Sequence, residues 1–558
     1  MNNKVKITNI FWKRTYLFIE YESKEEVKLS IVKTKKIDEE TRIIINKHDL
    51  ETKKLEDNKY RSKINITIAE YRHLLDKGRW CFIINDDYNN KPLISEDILY
   101  HIEDISRVFL YSNKFYAYII TFDIGKNPLD KEEIESFYLS LRVDYYQKNF
   151  KPDKRTWQEV RKNNGFKDLI HKVFIRLAKI ILNAYYQVLT HLTIKNGKRV
   201  LFMSENRERI MDNLEAIDKR MKERNFDKKF KISYSFRNIF KSEIQNPFKW
   251  ITVITKIAKQ DYIFVDDYVP VFSFLKLNKK TTLVQTWHAG FGFKLVGFGR
   301  FGIDGSPHPV QSCHRKYTYG IVGNNNLKEI YSEVWGIDKK SLLATGMPRL
   351  EHFLDKEQIE EKRQFFYEKY PNFKGKRVIN FAPTYRGSNQ YNAYYDYSKL
   401  DFDKLTDYCK KTNSVFIFGK HHFIREEIPI MPEHEKYLYD FSKYKLNDTF
   451  YITDILITDY SSCFYDFLLL KKPVIFYTYD KAIYSSTRGV HRPIDKVAPG
   501  IVCETFDELL KALDSASKPD FEIKDFLIDK CLTNKMLASD QIIDYVLLHK
   551  DVEGLWRK

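Results

Sequence analysis

From Val5 to about Asp123 apolar and polar residues alternate with the two-residue period of half-buried strands. Tyr16-Leu17-Phe18-Ile19-Glu20-Tyr21, Lys63-Ile64-Asn65-Ile66-Thr67-Ile68 and Trp80-Cys81-Phe82-Ile83-Ile84 are examples. Turn-forming Asn85-Asp86-Asp87 and Asn89-Asn90 separate some of these runs. The pattern predicts an antiparallel, sandwich-like β domain over residues 1–123. Charged residues then dominate 124–164, and residues 124–198 read as a helical linker. Its amphipathic part, Phe166 to Leu189, carries Lys172, Arg176 and Lys179 at helical spacing among Val173, Leu177 and Ile180. Such a helix either packs on its own domain or lies in an anionic membrane interface.

From Arg199 onward the period changes. Short apolar runs of strand length, Val200 to Met203, Tyr262 to Val265, Thr282 to Thr286, Tyr319 to Val322 and Leu342 to Thr345, alternate with helical stretches such as Asn213 to Arg224. After a polar stretch between about Gln358 and Lys376 the series resumes with Val378 to Phe381, Val415 to Phe418, Ile455 to Thr458, Val474 to Tyr477 and Ile501 to Cys503. Strands separated by helices imply parallel sheets covered on both faces. The expectation is two doubly wound α/β domains facing each other across a cleft, one over 199–370 and the other over 371–558.

With 558 residues the chain is too long for one core, in keeping with several domains. A formal charge of +18 predicts attraction to anions, without choosing among polymer, lipid and phosphorylated substrate. The six cysteines form no Cys-x-x-Cys pair, which points to reduced thiols and away from structural zinc. The N-terminus lacks the apolar core of a signal peptide, and no apolar run reaches the length of a spanning helix.

Candidate chemistry lies where strands end. In an open α/β sheet, ligands bind at the carboxyl edge, where unpaired backbone N–H groups converge. His288 follows the run ending near Gln285, Arg349 follows Leu342 to Thr345, Thr384 and Arg386 follow Val378 to Phe381, and Lys420-His421-His422 follows Val415 to Phe418. Asp459-Tyr460-Ser461-Ser462 leaves the run Ile455 to Thr458. A helical pattern through Phe464, Phe467 and Leu470 follows until Pro473 ends it, with Asp466 in its first turn. Each residue has a plainer reading as a cap, a core hydrogen-bonder or an ion-pair member. Together they suit a cleft for phosphoryl transfer, where positioning and charge stabilisation supply most of the catalysis. No P-loop or dinucleotide fingerprint is present.

Gln285-Thr286-Trp287-His288, Thr345-Gly346-Met347-Pro348-Arg349, Ala382-Pro383-Thr384-Tyr385-Arg386 and Ile457-Thr458-Asp459-Tyr460-Ser461-Ser462 with Asp466-Phe467, in this order, resemble the CDP-glycerol glycerophosphotransferase family of teichoic acid primases and polymerases. The resemblance covers roughly residues 199 to 515. It implies a GT-B fold made of two facing Rossmann-like domains, the C-terminal one binding a CDP-alditol and the N-terminal one the acceptor. It further implies attack of an acceptor hydroxyl on the β-phosphate, release of CMP, no cofactor and no essential metal.

By motif, His288 and His422 carry over as catalytic histidines, with His421 as the competing second candidate. Arg349, Thr384, Arg386, Asp459, Ser461, Ser462 and Asp466 carry over as the donor-binding set. The implied partners are CDP-glycerol or CDP-ribitol, a lipid-linked polyol-phosphate acceptor and the anionic cytoplasmic face of the cell membrane, held peripherally; nucleic acid is not among them. Three departures from the family pattern, Ala289-Gly290-Phe291, His422-Phe423 and Leu350-Glu351, bear on the acceptor, the second histidine and the donor contacts. Length and the β domain favour the ribitol-phosphate branch over the glycerol-phosphate one. The β domain itself would serve either polymer recognition or self-association into a homo-oligomer. Competing readings are a GT-B glycosyltransferase using a nucleotide sugar, which would typically release a nucleoside diphosphate, and a non-catalytic polyanion-binding protein.

Overall fold

The computed structural model describes residues 5–36, 42–69, 73–102, 104–112, 116–126, 137–147, 165–238, 247–289, 294–302, 306–387, 393–421, 423–491, 493–516, 537–552 and 555. Among them, eleven strands between Lys6 and Gln147 form one continuous, mostly antiparallel sheet. The sheet wraps a single core that includes Ile7, Tyr21, Trp80, Tyr111 and Leu141. The unit therefore runs past residue 123. Tyr116–Lys126 pairs in antiparallel register with Phe137–Gln147, a strand inside the segment expected to be a helical linker. Leu139, Leu141 and Val143 face the core there, while the intervening Arg142 and Asp144 form an ion pair outside it. Residues 127–136 and 148–164 of the expected linker lie outside the described residues.

Gly165–Leu192 is a single long helix. One face places Leu182, Tyr185, Tyr186 and Leu189 against the following domain, with the Tyr185 hydroxyl 2.9 Å from Thr255 Oγ1. The other face leaves Phe174, Leu177, Ile180, Ile181, Val188 and Leu192 between 53% and 77% exposed. Among the described residues no helix is long and apolar enough to cross a membrane.

Two further sheets follow. The first orders its strands as Asn206–Arg207, Lys231–Asn238, Arg199–Ser204, Tyr262–Val265, Thr282–Gln285, Tyr319–Ile321 and Leu342–Leu343, all parallel except the first. The second orders Leu438–Asp440, Ser414–Phe418, Arg377–Phe381, Ile455–Thr458, Val474–Tyr477 and Ile501–Cys503, all parallel. The central strands, Tyr262–Val265, Ser414–Phe418, Ile455–Thr458 and Val474–Tyr477 among them, are buried on both faces, as continuous apolar runs require. Each sheet reverses its winding beside its first strand. The crevice at the first reversal follows Ser204 and Val265; at the second it follows Phe381 and Thr458.

A later segment leaves the second of these domains. Ala538–Ile542 returns to the first, where Asp540 pairs with Arg220 at 2.8 Å and Arg224 at 2.7 Å, and Ser539 donates to Glu351. The expected 371–558 unit therefore gives up its last described residues to its neighbour. The β unit is also locked in place. Arg14 Nε donates to Glu333 Oε1 at 2.9 Å, Phe298 inserts into the β core, and Gly302 N donates to the Leu110 carbonyl at 2.7 Å.

Candidate active site

On the wall formed by the first α/β domain, the turn after Thr282–Gln285 is built from buried amides. Gln285 Nε2 donates to the Asp267 carbonyl and the Tyr317 hydroxyl, both at 2.9 Å, and its Oε1 accepts from Trp287 N. Asn213, fully buried, donates through Nδ2 to the carbonyls of Thr286 and Trp287 and accepts from Arg349 N at 2.9 Å. This network holds Trp287 at φ 46, a left-handed conformation costly for a residue with a Cβ. The strain has a geometric result: the indole turns inward against Trp335, and the next residue, His288, projects into solvent.

The His288 ring stacks on Trp287 at 4.8 Å, and its Nδ1 lies 3.9 Å from Asp267 Oδ2. Asp266, buried beside it, pairs with Arg207 at 3.2 Å; burial raises its carboxyl pKa, although the guanidinium opposes the shift. Asp266 and Asp267 end the strand Tyr262–Val265 at the crevice of this sheet. The carboxyl-edge rule that selected His288 applies to them equally, yet the sequence reading passed them over.

On the opposite wall Asp459 organises two turns. Its Oδ1 accepts from Thr384 N at 2.8 Å and Tyr460 N at 2.6 Å, and its Oδ2 accepts from Arg386 at 2.6 Å. Arg386 also donates to both oxygens of Asp480, at 2.7 and 2.9 Å, and to the Thr384 carbonyl. Four tyrosine rings, 395, 460, 479 and 484, surround its guanidinium at 5.2 to 5.4 Å. Asp459 and Arg386, expected as donor contacts, are thus engaged with each other in the interior and serve to shape the turns.

Arg349 and Asp466, also expected as donor contacts, are likewise engaged with each other. They form a forked ion pair between the two domains, with Arg349 Nη2 donating to Asp466 Oδ1 at 2.7 Å. Burial disfavours the Arg349 cation, but the Asp466 charge outweighs it and raises the pKa. What remains open toward the cleft is Ser461 and Ser462, both partly exposed, with Ser461 Oγ accepting from Cys463 N at 3.4 Å. The helix after them is short, Cys463–Phe467, and tightens through Leu468–Leu470.

Thr384 is nearly fully buried, and its hydroxyl accepts from Lys294 Nζ at 2.7 Å. Lys294 comes from the opposite domain, and no spacing signal marked it in the sequence. His421 packs on Tyr385 at 4.7 Å and accepts through Nδ1 from Phe423 N. His422 lies outside the described residues. Among the described residues no three His, Cys, Asp or Glu side chains converge as a metal site requires.

The cleft therefore pairs a solvent-facing imidazole on one wall with hydroxyls on the other, and the first wall also sends a cation across to the second, an arrangement that can deprotonate a hydroxyl and hold a phosphate. The profile of the family described as CDP-glycerol:poly(glycerophosphate) glycerophosphotransferase matches residues 184–546. The chain belongs to this family. As a CDP-glycerol glycerophosphotransferase family member it is an enzyme of the CDP-alditol phosphotransferase class.

Among relatives of this family member is the teichoic acid ribitol-phosphate polymerase TarL of Staphylococcus aureus, 29% identical over 94% of this chain and 96% of its own length. The teichoic acid poly(ribitol-phosphate) polymerase of Bacillus spizizenii is 33% identical over 68% of this chain and 61% of its own. A solved structure of a variant of the wall teichoic acid polymerase TagF superposes with a TM-score of 0.52 at 21% identity, covering 68% of this chain and 97% of that one. That likeness establishes the shared GT-B fold.

Proposed function

We propose that this protein is a ribitol-phosphate polymerase that moves ribitol phosphate from CDP-ribitol to a lipid-linked teichoic acid acceptor and releases CMP. One observation carries the choice of polyol. Relatives named for ribitol-phosphate polymerisation are 29%, 34% and 33% identical to the chain, whereas those named for glycerol-phosphate polymerisation are 26% and 25% identical.

In the mechanism this supports, His288 takes the proton of the acceptor's terminal hydroxyl. Asp267, near Nδ1, favours the tautomer that leaves Nε2 free to act as base. The acceptor oxygen then bonds to the β-phosphorus as the bond from that phosphorus to the bridging oxygen breaks, and CMP departs with the electron pair. Ser461 and Ser462 supply hydroxyl donors to the diphosphate from the crevice of the second sheet. Catalysis is mainly positioning and charge stabilisation. The enzyme works on the cytoplasmic membrane face, held peripherally by the exposed apolar stripe of Gly165–Leu192 with Arg176 and Lys179 beside it.

The test offers purified protein CDP-ribitol and CDP-glycerol in parallel, with a lipid-linked polyol-phosphate primer and His288→Ala as control, and measures CMP. Primer-dependent release from CDP-ribitol, lost in the variant, is the expected result. Release from CDP-glycerol alone would replace the polyol, and release from neither would overturn the proposal.

A further inference from the structure

We propose that Lys294 is a diphosphate-binding residue of the donor site, supplied by the acceptor-side domain and carried on the same loop as the base His288. The inference rests on the reading of the donor as a CDP-alditol and adds a contact which that reading does not contain.

Three observations converge on it. First, the backbone at Lys294 and Leu295 reaches the opposite domain. Lys294 and Val490 form an isolated antiparallel bridge, and Leu295 N donates to the Gly489 carbonyl at 3.3 Å, so the backbone of one domain is clipped to the other. Second, the Lys294 ammonium points at the turn Ala382–Arg386, in the crevice of the second sheet, and donates to Thr384 Oγ1 at 2.7 Å. An ammonium has three donors, and Thr384 is the acceptor that the described residues offer it. Third, a second cation reaches the same turn: Arg488 donates to the Tyr385 hydroxyl at 2.6 Å and lies 4.8 Å over its ring.

Asp459 is the carboxylate whose charge acts on Lys294, and its oxygens are already taken by Thr384 N, Tyr460 N and Arg386. Burial lowers the lysine pKa and the Asp459 charge opposes this, so an anion bound here would further favour the charged ammonium. Two cations and a hydroxyl at the carboxyl edge of a parallel sheet select a phosphate group. A diphosphate fits better than a monophosphate, because Lys294 and the serine turn approach the crevice from different elements.

The placement has a mechanistic consequence. Lys294 lies six positions after His288, so a donor phosphate gripped by the lysine tethers the chain close to the base. Donor binding and base positioning become one event, and Lys294 stabilises charge on the diphosphate as CMP leaves.

The test is calorimetric titration of the full-length protein with CDP, CMP and cytidine, comparing wild type with Lys294→Met, which keeps the apolar stem, and Lys294→Arg. Equal melting temperatures establish that the variants are folded. The expected result is a CDP affinity lowered about 10- to 100-fold in Lys294→Met, cytidine affinity within about twofold of wild type, and partial recovery in Lys294→Arg. An unchanged ratio of CDP to cytidine affinity in Lys294→Met overturns the proposal, as does a wild-type protein that binds CDP no better than cytidine. Because CDP carries no polyol and nothing turns over, a lysine-dependent CDP affinity stands even where neither CDP-alditol releases CMP. In that case the polyol-phosphate reading fails and the diphosphate site survives.

Discussion

The forked pair between Arg349 and Asp466 ties the two cleft walls together, and removing one member has a calculable cost. Their side chains are 11% and 4% exposed. Two opposite charges about 4 Å apart attract by about 4 kcal/mol at the effective dielectric of such sites. Deleting one partner of a buried pair costs about 3 to 5 kcal/mol, because the other charge is left uncompensated. Asp466→Asn keeps one acceptor oxygen, so a loss near 3 kcal/mol is expected; Arg349→Met leaves a carboxylate that keeps the 3.3 Å contact from Asn447 but no cation partner among the described residues, and about 4 kcal/mol is expected.

The double variant Arg349→Met/Asp466→Asn leaves no buried charge and should lose less than the roughly 4 kcal/mol of Arg349→Met alone, so that the coupling is at least about 3 kcal/mol. The assay is guanidinium unfolding followed by tryptophan fluorescence, alongside CMP release. Recovery of both stability and turnover in the double variant identifies the pair as an interdomain strut. Recovery of stability with the KM for the donor raised more than about tenfold identifies Arg349 as a donor contact as well. Single-variant losses below about 1 kcal/mol, or additive effects, would refute the buried-pair reasoning.

Asp267→Asn should lower kcat by about 10- to 100-fold with little change in donor KM, read from steady-state CMP release, and a flat kcat removes Asp267 from the positioning of His288. Glu333, 3% exposed, joins Arg14 of the β unit to His491 of the last domain; Glu333→Gln should cost about 3 kcal/mol in unfolding, and a loss under about 1 kcal/mol would mean the three units are not joined there. His314 is buried, and burial holds its pKa down to about 3 against 6.5 in the open chain. The unfolded chain then takes up a proton that the folded one refuses as pH falls through 6.5. This should remove about 2 kcal/mol of stability by pH 5, a slope that His314→Gln abolishes in denaturation at pH 7.5 and 5. Leu177→Glu/Ile181→Glu changes an exposed face and should leave melting unchanged while lowering co-sedimentation with anionic liposomes at least about tenfold; undiminished sedimentation rules the helix out as the membrane contact.

The central parallel strands were legible because they are buried on both sides, so their apolar runs need no partner to be recognised. Tyr262–Val265, Ile455–Thr458, Val474–Tyr477 and Ile501–Cys503 occur where the pattern places them. Phe137–Gln147 was hidden because its alternation is diluted by charged neighbours and its pairing strand, rather than its own composition, stabilises it. At the site, the carboxyl-edge rule marked His288, Thr384, Ser461 and Ser462. It could not separate a ligand contact from a scaffold residue, since that depends on who answers each charge. Arg386 is answered by Asp480, 94 positions on, and Arg349 by Asp466, 117 positions on.

Local sequence alone determined the element types, the two wound domains and the turns that face the cleft, because hydrophobic period and strand-end chemistry act over a few residues. Tertiary structure alone decided that Lys294 reaches Thr384 across the cleft, that Asp540 returns to Arg220 over 320 positions, and that Glu333 joins three units. Those outcomes rest on desolvated charges finding partners. Whether a charge is desolvated is settled only once distant segments have packed around it.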